Sequence, residues 1–202
     1  MNIIYGKKNE FRRQIFMLYE NKNHISSGKI VRPKQVVDIP ISLFKSMQGR
    51  YFVGQTETLK VGNGMNAWAG LVNPRDSNVN LYANVFTISN FSDEYLTAQV
   101  WLNITFPETS KISSKISSTN TALRPLPRNE VDIRYIESTT EVPKDGVNVY
   151  DRIVHPKTTL VSEEDGKFIE APDGDYVIII KSSSSNFNKV IVAFGFWEKF
   201  RH

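Results

Sequence analysis

Apolar and polar residues alternate most regularly between residues 79 and 90. One set of alternate positions is Val79, Leu81, Ala83, Val85 and Thr87, and the other is Asn80, Tyr82, Asn84, Phe86 and Ile88. A period of two, with β-branched and aromatic side chains, predicts a strand over Val79–Asn90. A second alternating run, Leu96–Ile104, follows after a short connection. We therefore expect these two strands to pair as an antiparallel hairpin.

A second pair of strands is predicted near the end of the chain. Tyr176–Lys181 and Lys189–Trp197 are rich in β-branched and aromatic residues, and a polar segment, Ser182–Asn188, joins them. Runs within both strands are apolar on both faces. Such runs are typical of central strands that are buried between layers.

Turn-forming residue pairs separate the remaining β-prone segments at strand-sized spacing. They are Asn63-Gly64, Asn73-Pro74, Asp145-Gly146, Asp165-Gly166 and Asp173-Gly174. Many short strands with regular turns predict an all-β fold, an antiparallel β-sandwich of jelly-roll-like character. A chain of 202 residues is compatible with one such domain, because sandwiches run to about 200–250 residues as single units.

Two segments are predicted to stand apart from the sandwich strands. Phe11–Tyr19 fits both helical and strand spacing, and we favour a strand that leads through a turn into Lys29–Val37. Residues 107–129 are rich in Ser and Thr and contain a tandem repeat, Lys111-Ile-Ser-Ser followed by Lys115-Ile-Ser-Ser. We interpret this segment as a long loop inside one domain, or as a crossing between two sheets.

Charge divides the chain into a basic arm and a mildly acidic body. Residues 1–50 hold ten Lys and Arg against three Asp and Glu, a net charge of +7, and the remaining 15 basic and 18 acidic residues give −3. We treat 1–50 as an N-terminal arm that packs on, or is exchanged with, a sandwich over 51–202. The arm is either a solvated surface or a segment that docks on an acidic partner, such as the body of a neighbouring copy.

The sequence contains no recognisable catalytic constellation. It has no cysteine, so disulfides and thiolate metal sites are excluded. The histidines His24, His155 and His202 show no metal-ligand spacing, and His155 beside Asp151 lacks a marked nucleophile. The acidic clusters Glu163–Gly166 and Asp173–Asp175 lie at expected turns. We therefore expect no enzymatic activity, no metal and no cofactor.

The sequence also gives little sign of a nucleic-acid partner or a membrane. It has no known nucleic-acid-binding motif, although its isoelectric point is near 9.2. No apolar run approaches the roughly 18 residues of a membrane span. The first residues lack the apolar region of a secretory signal. We expect a protein made in the cytoplasm, with deposition on a spore or cell surface by another route.

Three tryptophans are the most distinctive candidates for an interaction site. Trp68 and Trp197 are predicted core residues, because large aromatic side chains usually fill a core or an interface. Trp101 has polar strand-mates and is the better candidate for a surface position. The predicted ligand or interface residues are Trp101, Tyr82, Gln99, Arg12 and Arg13.

Several segments resemble a small family of β-rich proteins from spore-forming Firmicutes. They run from Gly54 through Pro74, from Val79 to Asn103 and from Val192 to Glu198, so that the resemblance covers roughly residues 50–105 and 170–198. In general character the chain is also similar to subunits of spore appendages and surface layers. Those subunits cross-link through cysteines, which this chain lacks. The resemblance implies no activity and no site residues.

Two functions are compatible with these observations. The favoured one is a structural or interaction protein, a self-assembling subunit of a spore- or surface-associated filament or layer. The alternative is a carbohydrate-binding module that uses exposed aromatic side chains. The expected partner is thus a second copy of the chain or a glycan.

Overall fold

The structure is a computed structural model that describes residues 13–16 and 37–201. Its elements, in chain order, are β1 (Arg13–Phe16), β2 (Val37–Pro40), α1 (Ile41–Met47), β3 (Tyr51–Gln55), β4 (Leu59–Val61), β5 (Asn66–Val72), β6 (Val79–Asn90), β7 (Leu96–Leu102), β8 (Lys111–Ile112), β9 (Ile116–Ser118), β10 (Asp132–Thr139), β11 (Val147–Val154), β12 (Thr159–Glu170), β13 (Asp175–Lys181) and β14 (Asn188–Phe200).

Two antiparallel sheets pack face to face, which confirms the predicted all-β sandwich. Sheet I has the strand order β11-β7-β13-β5-β10-β8, and sheet II has the order β12-β6-β14-β3-β9, with β4 also paired to β14. The inner faces of both sheets supply one buried apolar core, whose largest side chains include Phe52, Phe86, Phe196 and Tyr176. As predicted, β13 and β14 are central strands, each with a partner on both sides.

The predicted pairing of Val79–Asn90 with Leu96–Ile104 is wrong. Strand β6 lies in sheet II and β7 lies in sheet I, so residues 91–95 form an arch between the sheets. A tight hairpin of the common type needs positive φ angles, and no residue in 91–95 has one. The side chain of Asn90 builds the corner instead, since its Nδ2 donates to the carbonyls of Glu94 and His155.

The second predicted pair, Tyr176–Lys181 with Lys189–Trp197, separates in the same way. Strand β13 lies in sheet I and β14 lies in sheet II, so the polar loop between them joins two layers. Alternation predicts which side chains point inward. It does not distinguish a neighbour beside a strand from a neighbour across the core, because both arrangements bury the same face.

The alternation within β6 also reverses at one point. A register shift in the β6–β14 pairing leaves Asn84 as an extra residue opposite the Gly195–Phe196 step. Beyond this bulge Phe86 and Ile88 point into the core, whereas Val85 and Thr87 remain only partly buried. The strict period of two, which grouped Val85 and Thr87 with the core residue Leu81, therefore fails after Asn84.

The turn predictions are confirmed at Asn63-Gly64 and corrected at Asp165-Gly166. The first pair has φ angles of 51° and 73° and joins β4 to β5. The second pair also has positive φ angles, 52° and 74°, but it lies inside β12, where the register with β6 shifts between Glu163 and Phe168. The acidic cluster at 163–166 is therefore a strand bulge and not a hairpin turn.

The tandem repeat crosses between the sheets. Its first copy forms β8 in sheet I and its second copy forms β9 in sheet II. Between them, the hydroxyl of Ser113 donates to the carbonyl of Gln55 at 2.6 Å and accepts the N–H of Lys115. Residues 111–118 thus join the two sheets at one side of the sandwich.

The arm is described only in part. Strand β1 confirms a strand at Arg13–Phe16, within the predicted Phe11–Tyr19, and β1 pairs with β2 as a separate two-stranded sheet. Most of the predicted strand Lys29–Val37 lies outside the described residues. Helix α1 then leads to Arg50, whose guanidinium carbon lies 3.7 Å from the ring centroid of Phe200. The last residue of the predicted arm is therefore held on the body.

Candidate interaction surfaces

The structure divides the predicted site residues between two opposite faces. Trp101 and Gln99 lie on β7 in sheet I, whereas Tyr82 lies on β6 in sheet II. Arg13 lies on β1, and Arg12 lies outside the described residues. The prediction named these residues as candidates, but it did not identify two separate surfaces.

The outer face of sheet I carries a small apolar cluster of its own, which we call the outer cluster. In one row across the sheet, Gln99, Ile179, Trp68 and Ile136 are neighbours, and the next row holds Trp101, Val177, Gly70 and Arg134. The buried members are Trp68, Ile104, Ile136, Val177 and Ile179, with Trp101 and Phe106 packed against them.

The segment that follows β7 covers this cluster. Phe106 packs edge-on against Trp68 with ring centroids 5.9 Å apart. Its ring also approaches Gly70, where an added Cβ would lie 3.1 Å from Phe106 Cε2. A glycine at this position therefore lets the aromatic cover lie directly on the sheet. Trp68 is 1% exposed as a result, which confirms the prediction that it is buried.

One buried carboxylate holds the cover in place. Asp175 begins β13 on the same face, and its Oδ1 accepts the N–H of Ile104 at 3.2 Å. Burial raises the pKa of Asp175 to about 7, against the opposing effect of that hydrogen bond. The nearby Asp145 accepts the N–H of Thr105, so two consecutive residues of the cover are anchored by carboxylates.

Unpaired polar atoms are concentrated on this face. Among the described residues, the buried atoms without a hydrogen-bond partner include Trp68 Nε1, Gln99 Oε1 and Trp101 Nε1. A cavity of about 210 Å³ lies beside Trp68 and Phe106, and Glu108, Glu141, Lys144 and Asp145 lie around it. Buried polar atoms without a partner are uncommon in native proteins, and a water, an ion or another polar group usually satisfies them.

Trp101 is less accessible than the sequence predicts. Its side chain is partly buried against the outer cluster, and its indole nitrogen is inaccessible to solvent. The strand alternation correctly places Trp101 on the outer face. It does not predict that Phe106 and its neighbours fold back over that face, because the cover comes from an irregular segment.

On sheet II, three aromatic side chains form a stack on the outer face. The rings of Tyr82 and Trp197 are stacked with centroids 5.4 Å apart, and Tyr51 lies on the other side at 6.4 Å. The Tyr51 hydroxyl accepts the Nδ2 hydrogen of Asn84 at 2.7 Å. Gly166 of the β12 bulge lies against Trp197, where an added Cβ would be within 1.9 Å of the indole. Trp197 is thus buried, as predicted, but outside the main core.

Beyond this stack the outer face of sheet II forms an open groove, which we call the β14 groove. It has a volume of about 670 Å³, and apolar and polar residues line it together: Val53, Val85, Ile116, Ala193 and Gly195 with Gln55, Thr87, Ser114, Lys115 and Ser117. Gly195 lies between Val53 and Val85, and Ala193 lies between Gln55 and Thr87. The small residues of β14 therefore form the floor, and the larger side chains of β3 and β6 form the walls.

Sequence analysis did not identify the β14 groove. Its apolar wall depends on Val85 pointing outward, which follows from the bulge at Asn84. A signal is nevertheless present in the sequence between residues 79 and 89: Asn80 and Asn84 fall at even positions, whereas Thr87 and Ser89 fall at odd positions. Adjacent apolar residues, Val85-Phe86, mark the change of phase, and such a change is what a bulge produces.

The buried carboxylates have structural partners. Glu198 Oε1 accepts the N–H groups of Glu130 and Val131, at 2.8 and 2.9 Å, and burial raises its pKa to about 7. Glu164 accepts the Ser162 hydroxyl and pairs with Lys167. Within residues 13–16 and 37–201, no three His, Cys, Asp or Glu side chains are grouped closely enough to hold a metal ion.

Two further predictions concern His155 and the membrane. The carbonyl of His155 accepts hydrogen bonds from Asn90 and Thr158, and its ring lies 5.1 Å from that of Tyr95. These contacts locate His155 at the corner of the arch that residues 91–95 form between the sheets. No helix in the described part of the chain is long and apolar enough to cross a membrane.

The fold and its two outer surfaces define a two-sheet β-sandwich protein with a covered apolar cluster on one outer face and an open groove on the other. A sequence profile matches residues 22–201, which is most of the chain, and the chain belongs to the corresponding family of unknown function, DUF6143. No curated protein matches the sequence. No solved structure matches it either.

Proposed function

We propose that this protein is a non-enzymatic structural subunit that assembles with copies of itself through its N-terminal arm. The observation that carries the proposal is the position of β1 and β2, which form a sheet of their own and pair with no strand of either sandwich sheet. A two-stranded ribbon is marginally stable in water, so packing against a further surface stabilises it.

Charge supports the same arrangement. The arm carries +7 and the rest of the chain carries −3. Opposite charges attract over a Debye length of about 8 Å at physiological ionic strength, so the contact is favoured at low salt. An arm that binds the body of a neighbour makes a heterologous contact, which closes into a ring or continues as a filament.

The proposal includes a biological setting and the absence of catalysis. The resemblance to β-rich proteins of spore-forming Firmicutes favours a layer or filament on a spore or cell surface. The buried carboxylates support a non-enzymatic role, because Asp175, Glu164 and Glu198 each accept hydrogen bonds that fix local structure.

Light scattering and negative-stain microscopy of the full-length chain test the proposal. We expect assemblies at high protein concentration and low salt, and their loss in the double variant Arg12→Glu, Arg13→Glu. The control is Lys144→Glu, Lys189→Glu, which changes two exposed lysines of the body by the same charge. A full-length protein that stays monomeric under these conditions would show that the proposal is wrong.

Glycan binding is the second candidate, and the outer face of sheet I favours it. The indole N–H of Trp68 is unpaired, and the adjacent 210 Å³ cavity has an aromatic wall and several carboxylates. Sugars combine apolar ring faces with many hydroxyls, which suits such a lining. A glycan array of the wild type, with the cavity-lining substitution Glu141→Ala as the variant and circular dichroism as the folding control, tests it. Absence of any bound glycan eliminates this candidate.

A further inference from the structure

No residue in the described part of the chain covers the β14 groove, although its lining includes the apolar side chains of Val53, Val85 and Ile116. Val53 is 42% exposed at the groove wall. On the outer face of sheet I, by contrast, Phe106 packs over the outer cluster. Burying apolar surface is worth about 25 cal/mol per Å², so a segment that covers the groove gains a substantial driving force.

The dimensions of the groove suit an extended segment. The floor follows β14 through Ala193 and Gly195, and the walls come from the strands on either side of it. The groove spans two strand spacings, from β3 across β14 to β6, and is therefore about 10 Å wide. A second β-layer would pack about 10 Å above the sheet. Gly195 has to remain small, because an added Cβ would lie 2.6 Å from the Tyr51 hydroxyl and 2.8 Å from Val85.

The arm joins the body beside this groove. Pro40, Ile41 and Ser42, at the junction of β2 and α1, line a small cavity together with Asn84, Val85, Glu163 and Asp165. Val85 also lines the β14 groove. The carboxylates of Glu163 and Asp165 therefore flank the groove on the side where the basic arm meets the body, and they complement its charge.

We infer that the β14 groove is the acceptor for the β1–β2 ribbon of a second copy of this chain. Within the described part of the arm, the ribbon pairs with no sandwich strand, and no described residue covers the groove. Because each copy carries one ribbon and one groove, the contact repeats from subunit to subunit. This inference rests on the proposed assembly function and names the surface that it uses.

The absence of cysteine allows a direct test by disulfide trapping. Ile15→Cys is placed in the arm of one full-length protein and Val53→Cys in the groove of another, and one of the two carries a tag so that the mixed dimer has its own mass. After mixing and oxidation, we expect a covalent mixed dimer on a non-reducing gel. The matched control replaces Val53→Cys by Val147→Cys, since Val147 is 61% exposed but lies on sheet I. Equal trapping by the control would overturn the inference.

A second measurement separates this inference from the proposed function. In the full-length protein, we expect Val53→Arg to raise the concentration needed for assembly about tenfold, and Val147→Arg to leave it unchanged. If Arg12→Glu, Arg13→Glu abolishes assembly while Val53→Arg has no effect, the arm connects subunits but the groove is not its acceptor. A chain with both cysteines that cross-links within itself at high dilution also overturns the inference, because the arm then occupies its own groove.

Discussion

The outer faces of the two sheets use similar residues in different surroundings. On sheet I, Trp68 and Val177 are fully covered, and an irregular segment with Phe106 forms the cover. On sheet II, Tyr51 and Tyr82 enclose Trp197 at one end, but the rest of the face is the open β14 groove. An apolar sheet face thus needs a partner, and the chain provides one for sheet I within its own described fold.

The largest expected loss of stability comes from removing a buried side chain of the outer cluster. Trp68→Ala removes a side chain that is 1% exposed beneath Phe106, and we expect it to lower the free energy of unfolding by about 3–5 kcal/mol. Chemical denaturation measures the change. The control is Phe91→Ala, because Phe91 is an aromatic side chain that is 52% exposed. A loss below about 1 kcal/mol for Trp68→Ala would mean that the outer cluster is not a packed core.

The next largest loss of stability is expected beside the aromatic stack on the outer face of sheet II. Gly166→Ala places a Cβ 1.9 Å from Trp197, at a φ angle of 74°. We expect a loss of about 3 kcal/mol, from the left-handed backbone strain and the overpacking together. Gly64→Ala is the matched control, because Gly64 has a φ angle of 73° and no atom within 4 Å of the added Cβ. Equal losses of stability in Gly166→Ala and Gly64→Ala would show that the close contact with Trp197 adds nothing to the effect.

The contribution of Asp175 to the stability of the folded chain depends on pH. Burial raises the pKa of Asp175 in the folded chain to about 7, above its ordinary value of 3.8. The folded state therefore binds a proton more tightly than the unfolded state does. This contribution to stability is complete below the unfolded pKa, near 4, and is lost as the pH rises through 7.

We expect unfolding to become easier by about 2 kcal/mol between pH 5 and pH 8 on account of this one group. Glu198 has a raised pKa of about 7 as well and adds to the trend with the same sign. Urea unfolding of the wild type and Asp175→Asn at both pH values measures the difference. An unchanged pH dependence in Asp175→Asn would exclude this assignment.

The smallest expected effect lies in the open groove. In the monomer, Val53→Ala removes atoms from a side chain that is 42% exposed, so we expect a change in stability below about 0.5 kcal/mol. The same substitution in the covered face, Val177→Ala, removes a fully buried side chain and should cost about 2 kcal/mol. Similar losses of stability for Val53→Ala and Val177→Ala, measured on dilute protein, would contradict the difference in burial between the two faces.

Local pattern predicts the strands well because each strand has one buried face. The segments at Val79–Asn90, Tyr176–Lys181 and Lys189–Trp197 are strands within a few residues of their predicted ends. Strand partners are less predictable. Two strands joined by five residues pair in one sheet or cross between two sheets, and the side chain of Asn90 favours the crossing here. That preference depends on tertiary contacts with Glu94 and His155.

The candidate surfaces are likewise predictable only in part. Alternation correctly assigns Trp101 and Gln99 to an outer face, and burial of Trp68 and Trp197 follows from their size. The cover over sheet I depends on Gly70 leaving space for Phe106, and the groove on sheet II depends on a bulge at Asn84. Each of these features arises from a single residue that interrupts the pattern, so a reading based on periodicity misses both.

The position of β14 has a consequence for synthesis of the protein. This strand holds residues 188–200 and lies between β6 and β3. A ribosome releases its product from the N-terminus onward, so both neighbours emerge before the strand that joins them. Until residues 188–200 follow, Ala193 and Gly195 are missing and the floor of the groove does not exist. In the proposed assembly, a growing chain therefore exposes its arm before its acceptor, and residues 188–200 have to emerge before a subunit offers a complete site to the next one.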